Sequence, residues 1–168
     1  MNNITLIGMP GAGKSTIGVI LAKSLLCDFT DTDLIIQKKT GKSLCDIIDQ
    51  RGTEGFLELE NDIVCSQSFE NAVIATGGSV VYGEEAMAKL KEISTVVFLD
   101  VSVSELEKRL SNIKTRGVAM KKGTTVKELY AERLPLYKKY ADITLDCTGL
   151  TAEECVDWIM GVVRKSSQ

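Results

Sequence analysis

The chain has 168 residues, 44% of them hydrophobic and 26% charged, which suits one domain with a sizeable core and leaves no room for a second full one. Its net charge is −3 with no strongly basic run, which argues against an electrostatic nucleic-acid footprint, and no apolar run reaches the length of a membrane span. There is no histidine, so any general base must be a carboxylate, a lysine, a tyrosine or the substrate itself.

Ile4 to Ile7 form a short apolar strand, so close to residue 1 that no secretory signal is expected and a cytoplasmic setting is the default. Gly8-Met9-Pro10-Gly11-Ala12-Gly13-Lys14-Ser15 follows with the spacing G-x-x-x-x-G-K-S, and Thr16 to Leu26 then carry apolar residues at helical spacing. A strand, a glycine-rich loop and a helix in that order are the context this motif requires. Gly8, Gly11 and Gly13 let successive backbone N–H groups face a β-phosphate, and the helix N-terminus adds partial positive charge. Lys14 reaches toward the β- and γ-phosphates and the Ser15 hydroxyl toward Mg²⁺. Binding of a nucleoside triphosphate, ATP with Mg²⁺, is therefore expected at Gly11, Ala12, Gly13, Lys14, Ser15 and Thr16.

Cys27 to Thr30 reads as an extended stretch ending in Asp31-Thr32-Asp33. A helix from about Asp33 closes at Gly41, Ser43 opens another with Asp46 as a near capping box, and Glu54 to Phe69 continues with a helical pattern. This helical stretch, 33–69, is expected to form a substrate-binding flap. Ala72 to Ala75 is a strand followed at once by Thr76-Gly77-Gly78-Ser79; Glu84 to Ile93 is a helix, Thr95 to Leu99 a strand, and Ser104 to Leu110 a helix. Residues 111–125 are polar and basic and are expected to form a mobile lid. A helix over Val126 to Tyr140, a strand over Ile143 to Leu145 and an amphipathic helix over Thr151 to Arg164, with a Thr151/Glu154 capping box, complete the chain.

Five alternations of strand and helix predict an α/β fold: a parallel sheet of about five strands between helical layers, joined by right-handed crossovers. Ligands in such sheets bind beyond the strand C-termini. Gly8, the Asp31/Asp33 pair and Gly77-Gly78 all follow strands, so one site is expected to collect them. The five cysteines lack zinc-site spacing and are expected to be mostly buried, reduced thiols.

Asp31 and Asp33, two apart on extended backbone, lie on one side and can face the phosphate loop together. One suits support of Mg²⁺ and the other acceptance of a proton from an attacking hydroxyl; either also suits the N-cap of the following helix. Arg133 suits a bidentate carboxylate contact or a surface ion pair with Glu128 or Glu132, and Arg116 suits a phosphate contact or an ordinary solvated position.

Phe29-Thr30-Asp31-Thr32-Asp33, Lys39-Thr40-Gly41, Arg51-Gly52-Thr53-Glu54-Gly55-Phe56, Ala75-Thr76-Gly77-Gly78 and Glu132-Arg133-Leu134-Pro135-Leu136-Tyr137 with Ala141-Asp142 together resemble the shikimate kinase family along nearly the whole chain. The resemblance implies a P-loop kinase three-layer sandwich, acting as a monomer on ATP and a small hydroxylated carboxylate. It implies that Asp31 supports Mg²⁺ and Asp33 contacts the acceptor hydroxyl. It makes Arg116 the lid arginine at the transferring phosphate, Arg133 the carboxylate partner, Gly77 and Gly78 backbone beside the substrate, and Arg109 a neighbour of the adenine. Three positions depart from that pattern: Leu57 stands at the substrate-facing position where the family carries a second carboxylate-binding arginine, Ser79 replaces a third glycine, and the lid reads Arg116-Gly117-Val118-Ala119. Glu58 and Glu60 flank Leu57, so an acceptor with an ammonium group, such as homoserine, is the alternative substrate, unless both glutamates are simply solvated. A nucleotide-binding regulatory module without catalysis is the alternative from another class.

Overall fold

A computed structural model describes residues 3–110 and 117–165. In it, β1 (Asn3–Ile7), α1 (Lys14–Leu25), β2 (Asp28–Asp31), α2 (Thr32–Thr40), α3 (Leu44–Ser66), β3 (Ala72–Ala75), α4 (Glu84–Ile93), β4 (Ser94–Asp100), α5 (Val103–Arg109), α6 (Val126–Tyr140), β5 (Ile143–Asp146) and α7 (Ala152–Lys165) follow one another. The five strands pair in parallel in the order β2-β3-β1-β4-β5. The expected α/β architecture is therefore present. β1, β3 and most of β4 are buried on both faces, as parallel strands covered by helices must be.

Right-handed crossovers put α1, which joins β1 to β2, on one face, where it packs against α7. The connections through α3, α4 and α6 run the other way across the sheet and cover its opposite face, with α4 and α6 in contact with β4. The core holds Leu6, Val73, Ile74, Val97, Phe98 and Leu99 from the sheet, with Leu21, Met87 and Leu106 from the helices. Asn3 fastens the sheet at its lower edge: its amide donates to Phe69 O at 2.9 Å and accepts from the Ala72 N–H at 2.9 Å.

Local signals placed most boundaries within two residues. Asp31 caps α2, Ser43 caps α3 through the Asp46 N–H at 3.1 Å, and the Thr151/Glu154 capping box is formed. Gly52, at φ 73°, breaks α3 into the two helical pieces that the sequence suggests. The second piece stops at Ser66 rather than Phe69, and a short 3₁₀ turn over Val80–Tyr82 was not expected. The region expected to be a flap is α2 and α3, with a small core of its own: Ile36, Leu44, Ile47, Phe56 and Ile63, joined by Ala119.

The cysteines need a correction. None of the five is in a disulfide, and only Cys147 and Cys155 are buried; Cys27, Cys45 and Cys65 lie at half-buried positions, with Cys27 and Cys65 packed against the rim of the core. No helix among the described residues is long and apolar enough to cross a membrane.

Candidate active site

Because all strands run one way, the loops after β1 and β3 and the end of β2 open on the same edge of the sheet. They enclose a cavity of about 540 Å³ lined by Gly11, Gly13, Lys14, Ser15, Thr16, Asp33, Gly77, Gly78, Ser79, Arg109 and Arg133, among others. Ten of the residues expected to form the site, Gly11, Gly13, Lys14, Ser15, Thr16, Asp33, Gly77, Gly78, Arg109 and Arg133, meet there.

The phosphate loop follows from its glycines. Gly8, Gly11 and Gly13 all have positive φ, and a Cβ on Gly8 would stand 2.6 Å from Leu99 O, so only glycine lets the loop pass β4. Lys14 is buried and donates to Gly8 O at 2.7 Å and Met9 O at 2.9 Å. Burial pulls its ammonium down to about 8, against the opposing pull of Asp33. Ala12 is placed differently from its neighbours: it is packed beneath the loop, its N–H donates to Met9 O at 3.1 Å, and it does not line the cavity.

Asp31 serves as both helix cap and neighbour of the loop, so the two readings of it are not exclusive. Its Oδ1 accepts from the N–H groups of Asp33 and Leu34 at 2.9 and 3.4 Å, and its Oδ2 accepts from Ser15 Oγ at 2.7 Å. Asp33, one step into α2, faces the cavity. Burial first, and the nearby Asp31 charge second, push its carboxyl up to about 6.

Arg133 is 1% exposed, so the surface ion-pair reading of it fails. Its guanidinium lies over the Tyr82 ring at 5.4 Å and donates from Nη2 to Ala119 O at 2.6 Å, while its Nε has no partner among the described residues. Arg109 donates to Gly11 O at 3.0 Å and pairs with Glu105. Arg116 and the stretch 111–116 of the expected lid lie outside the described residues. Of the remainder, Ala119 is buried in the α2–α3 core and Thr53 donates to Met120 O at 3.5 Å.

Leu57 is not in the main cavity. It lines an adjoining space of about 470 Å³ together with Arg51, Tyr82, Lys121 and Glu132, and Ala119 borders both spaces.

Glu60 is the site residue that sequence reasoning misjudged. Glu58 is exposed, as a solvated glutamate should be, but Glu60 is 2% exposed. Its Oε1 accepts from Ser79 Oγ at 2.7 Å, and its Oε2 is buried without a partner among the described residues. Burial, against the donated Ser79 bond, pushes it up to about 7. A signal was available: Phe56, Ile63 and Val64 lie four before, three after and four after it, so it stands inside the apolar stripe of α3. Tyr137 went unassigned as well. It stacks on Phe98 and donates to Gly78 O at 2.7 Å.

A family model described as shikimate kinase matches residues 10–164. The shikimate kinase of Thermodesulfovibrio yellowstonii is 36% identical over 163 residues, covering 95% of this chain and 94% of its own. That of Francisella tularensis subsp. novicida is 37% identical over 161 residues, covering 94% and 92%. Among solved structures, shikimate kinase from Acinetobacter baumannii in complex with shikimate superposes with a TM-score of 0.90 at 29% identity, covering 99% of this chain and 94% of that one. Shikimate kinase from Aquifex aeolicus gives 0.82 at 32% identity, covering 98% of each chain. These similarities leave the hydroxyl amino acid and the non-catalytic module without support. The chain belongs to the shikimate kinase family.

Proposed function

We propose that the protein transfers the γ-phosphoryl group of ATP to a hydroxyl of shikimate, giving shikimate 3-phosphate and ADP. The observation that carries this reading is the single cavity that joins a phosphate loop to Asp33 and to the buried cation of Arg133, in a chain of this family. One chain carries both donor and acceptor subsites, in keeping with a monomer. Its five cysteines, none of them in a disulfide, suit a reducing, cytoplasmic setting.

Phosphoryl transfer is a matter of positioning and charge stabilisation, and the residues divide accordingly. The loop N–H groups of Gly11, Gly13, Ser15 and Thr16 receive the phosphates, and Lys14 exchanges its two loop carbonyls for phosphate oxygens. Arg109 borders the nucleotide side, and Arg116 is proposed as the lid arginine. Ser15 Oγ and Asp31 Oδ2, 2.7 Å apart, are hard oxygen donors of the kind Mg²⁺ takes. No cluster of three acidic, cysteine or histidine side chains exists among the described residues. That fits an ion held by few protein ligands together with the phosphates, since bound Mg²⁺ neutralises charge on the β- and γ-oxygens.

On the acceptor side, Asp33 takes the proton of the attacking hydroxyl. Its raised value of about 6 brings it near the pH at which a general base works best. Arg133 grips the carboxylate, with its free Nε and the cavity before it, and the backbone of Gly77 and Gly78 closes the seat. Leu57 leaves that grip to Arg133 alone.

A coupled ADP-release assay across shikimate, homoserine and gluconate tests the reading. Turnover is expected with shikimate only; turnover of homoserine with none on shikimate would overturn it, as would ATP binding without transfer to any of the three.

A further inference from the structure

The acceptor half of the cavity is floored by the turn from Thr76 to Ser79, and that turn is held from three sides. Thr32 Oγ1 accepts the Gly77 N–H at 3.2 Å, Tyr137 donates to Gly78 O at 2.7 Å, and Ser79 donates to Glu60 at 2.7 Å. A Cβ on Gly77 would stand 2.6 Å from Glu60 Oε2 and 2.7 Å from Asp33 Oδ1. The Gly77 backbone is therefore wedged between the two carboxyl groups, and any shift of Glu60 is felt where Asp33 meets its substrate.

Stability does not account for Glu60. A buried carboxyl with one oxygen unpartnered costs folding free energy, and an apolar side chain of similar volume would avoid that cost. No ion pair to Glu60 exists among the described residues, and Leu57, one turn earlier on the same helix face, brings no donor. Ser79 is thus the side chain that supplies its hydrogen bond, and a glycine at that position would supply none.

We propose that the Ser79–Glu60 hydrogen bond sets the acceptor subsite, with Ser79 and Glu60 as positioning residues that hold the Gly77–Gly78 backbone against the substrate. This rests on the shikimate reading, since it takes the space between Asp33 and Arg133 as the acceptor seat. Neither side chain hydrogen-bonds to the phosphate loop among the described residues, so the effect falls first on the acceptor.

Steady-state kinetics with shikimate and ATP, alongside thermal melts, test the pair. Wild-type turnover of shikimate comes first, and its absence would sink the substrate reading rather than this one. Ser79→Ala is expected to raise the KM for shikimate about tenfold, the scale of a hydrogen bond to a charged group, while the KM for ATP stays within about twofold. Ser79→Thr keeps the hydroxyl and Glu60→Gln keeps the accepting oxygen, so both are expected to stay near wild type. Glu60→Met removes that oxygen at similar volume, should reproduce Ser79→Ala, and serves in its place if Ser79→Ala does not fold. Unchanged shikimate KM in both truncations, or equal rises for both substrates, would overturn the proposal.

Discussion

Asp31 accepts Ser15 Oγ at 2.7 Å through one carboxylate oxygen and caps α2 through the other, by way of the Asp33 N–H at 2.9 Å. The residue that would face Mg²⁺ thus also fixes the start of the helix that carries Asp33. The two duties separate by substitution. Asn caps helices as well as Asp does, so Asp31→Asn is expected to keep the melting temperature and raise the Mg²⁺ concentration needed for half-maximal rate. Asp31→Ala should do both, with a stability loss of about 1 kcal/mol from the missing cap. Melting curves and Mg²⁺ titrations of the rate decide it; an unchanged Mg²⁺ requirement in both variants would leave Asp31 as a cap only.

Glu60 and Asp33 give the ligand-free protein a pH-dependent stability of predictable sign. Both carboxyls are raised by burial, to about 7 and about 6, so the folded state binds their protons more tightly than the unfolded state does. Their contributions are fully present below the ordinary values, 3.8 for aspartate and 4.5 for glutamate, and are lost as pH rises to about 6 for Asp33 and about 7 for Glu60. For Glu60 the shift corresponds to about 3 kcal/mol. Urea unfolding across that window should show the decline, and Glu60→Gln should flatten it by about that amount. A wild-type protein of constant stability over the same window would contradict the burial argument.

Arg133, buried at the cavity, is the residue proposed to grip the carboxylate. Arg133→Met is expected to cost about 2–5 kcal/mol in kcat/KM for shikimate, roughly 30-fold to several-thousand-fold. Arg133→Lys keeps the charge but loses the planar fork and should fall between. The KM for ATP should hardly move. Equal losses for the two substrates would point to a general collapse of the site instead.

Leu57 offers the converse test. Leu57→Arg adds a guanidinium in the adjoining cavity, which shares Ala119 with the main one, and is expected to lower the KM for shikimate about tenfold through one more charge-assisted hydrogen bond. An unchanged KM would mean that one cation suffices in this seat.

Legibility from sequence varied with the range of the forces involved. The strand–loop–helix at residues 4–26 and the caps at Ser43 and Thr151 rest on local backbone chemistry, and all are where the pattern puts them. The meeting of Lys14, Asp33 and Gly77 was legible because parallel strands bring their C-terminal loops together, whereas Arg133, in the middle of α6, was pointed to by the family resemblance. Glu60 was legible only in part: its place in the apolar stripe of α3 marks it for burial, but its hydrogen-bond partner comes from the turn after β3. Leu57 likewise turns to a neighbouring cavity walled in part by Ala119, Met120 and Lys121, far from it in sequence. The inward turn of the Ala12 N–H is a property of the folded loop, invisible in a motif that counts residues.

Ala119 sits with its side chain in the α2–α3 core and its carbonyl on Arg133 Nη2. The segment after residue 116 therefore cannot lift away without withdrawing a methyl group from that core and leaving a fully buried guanidinium with one partner fewer.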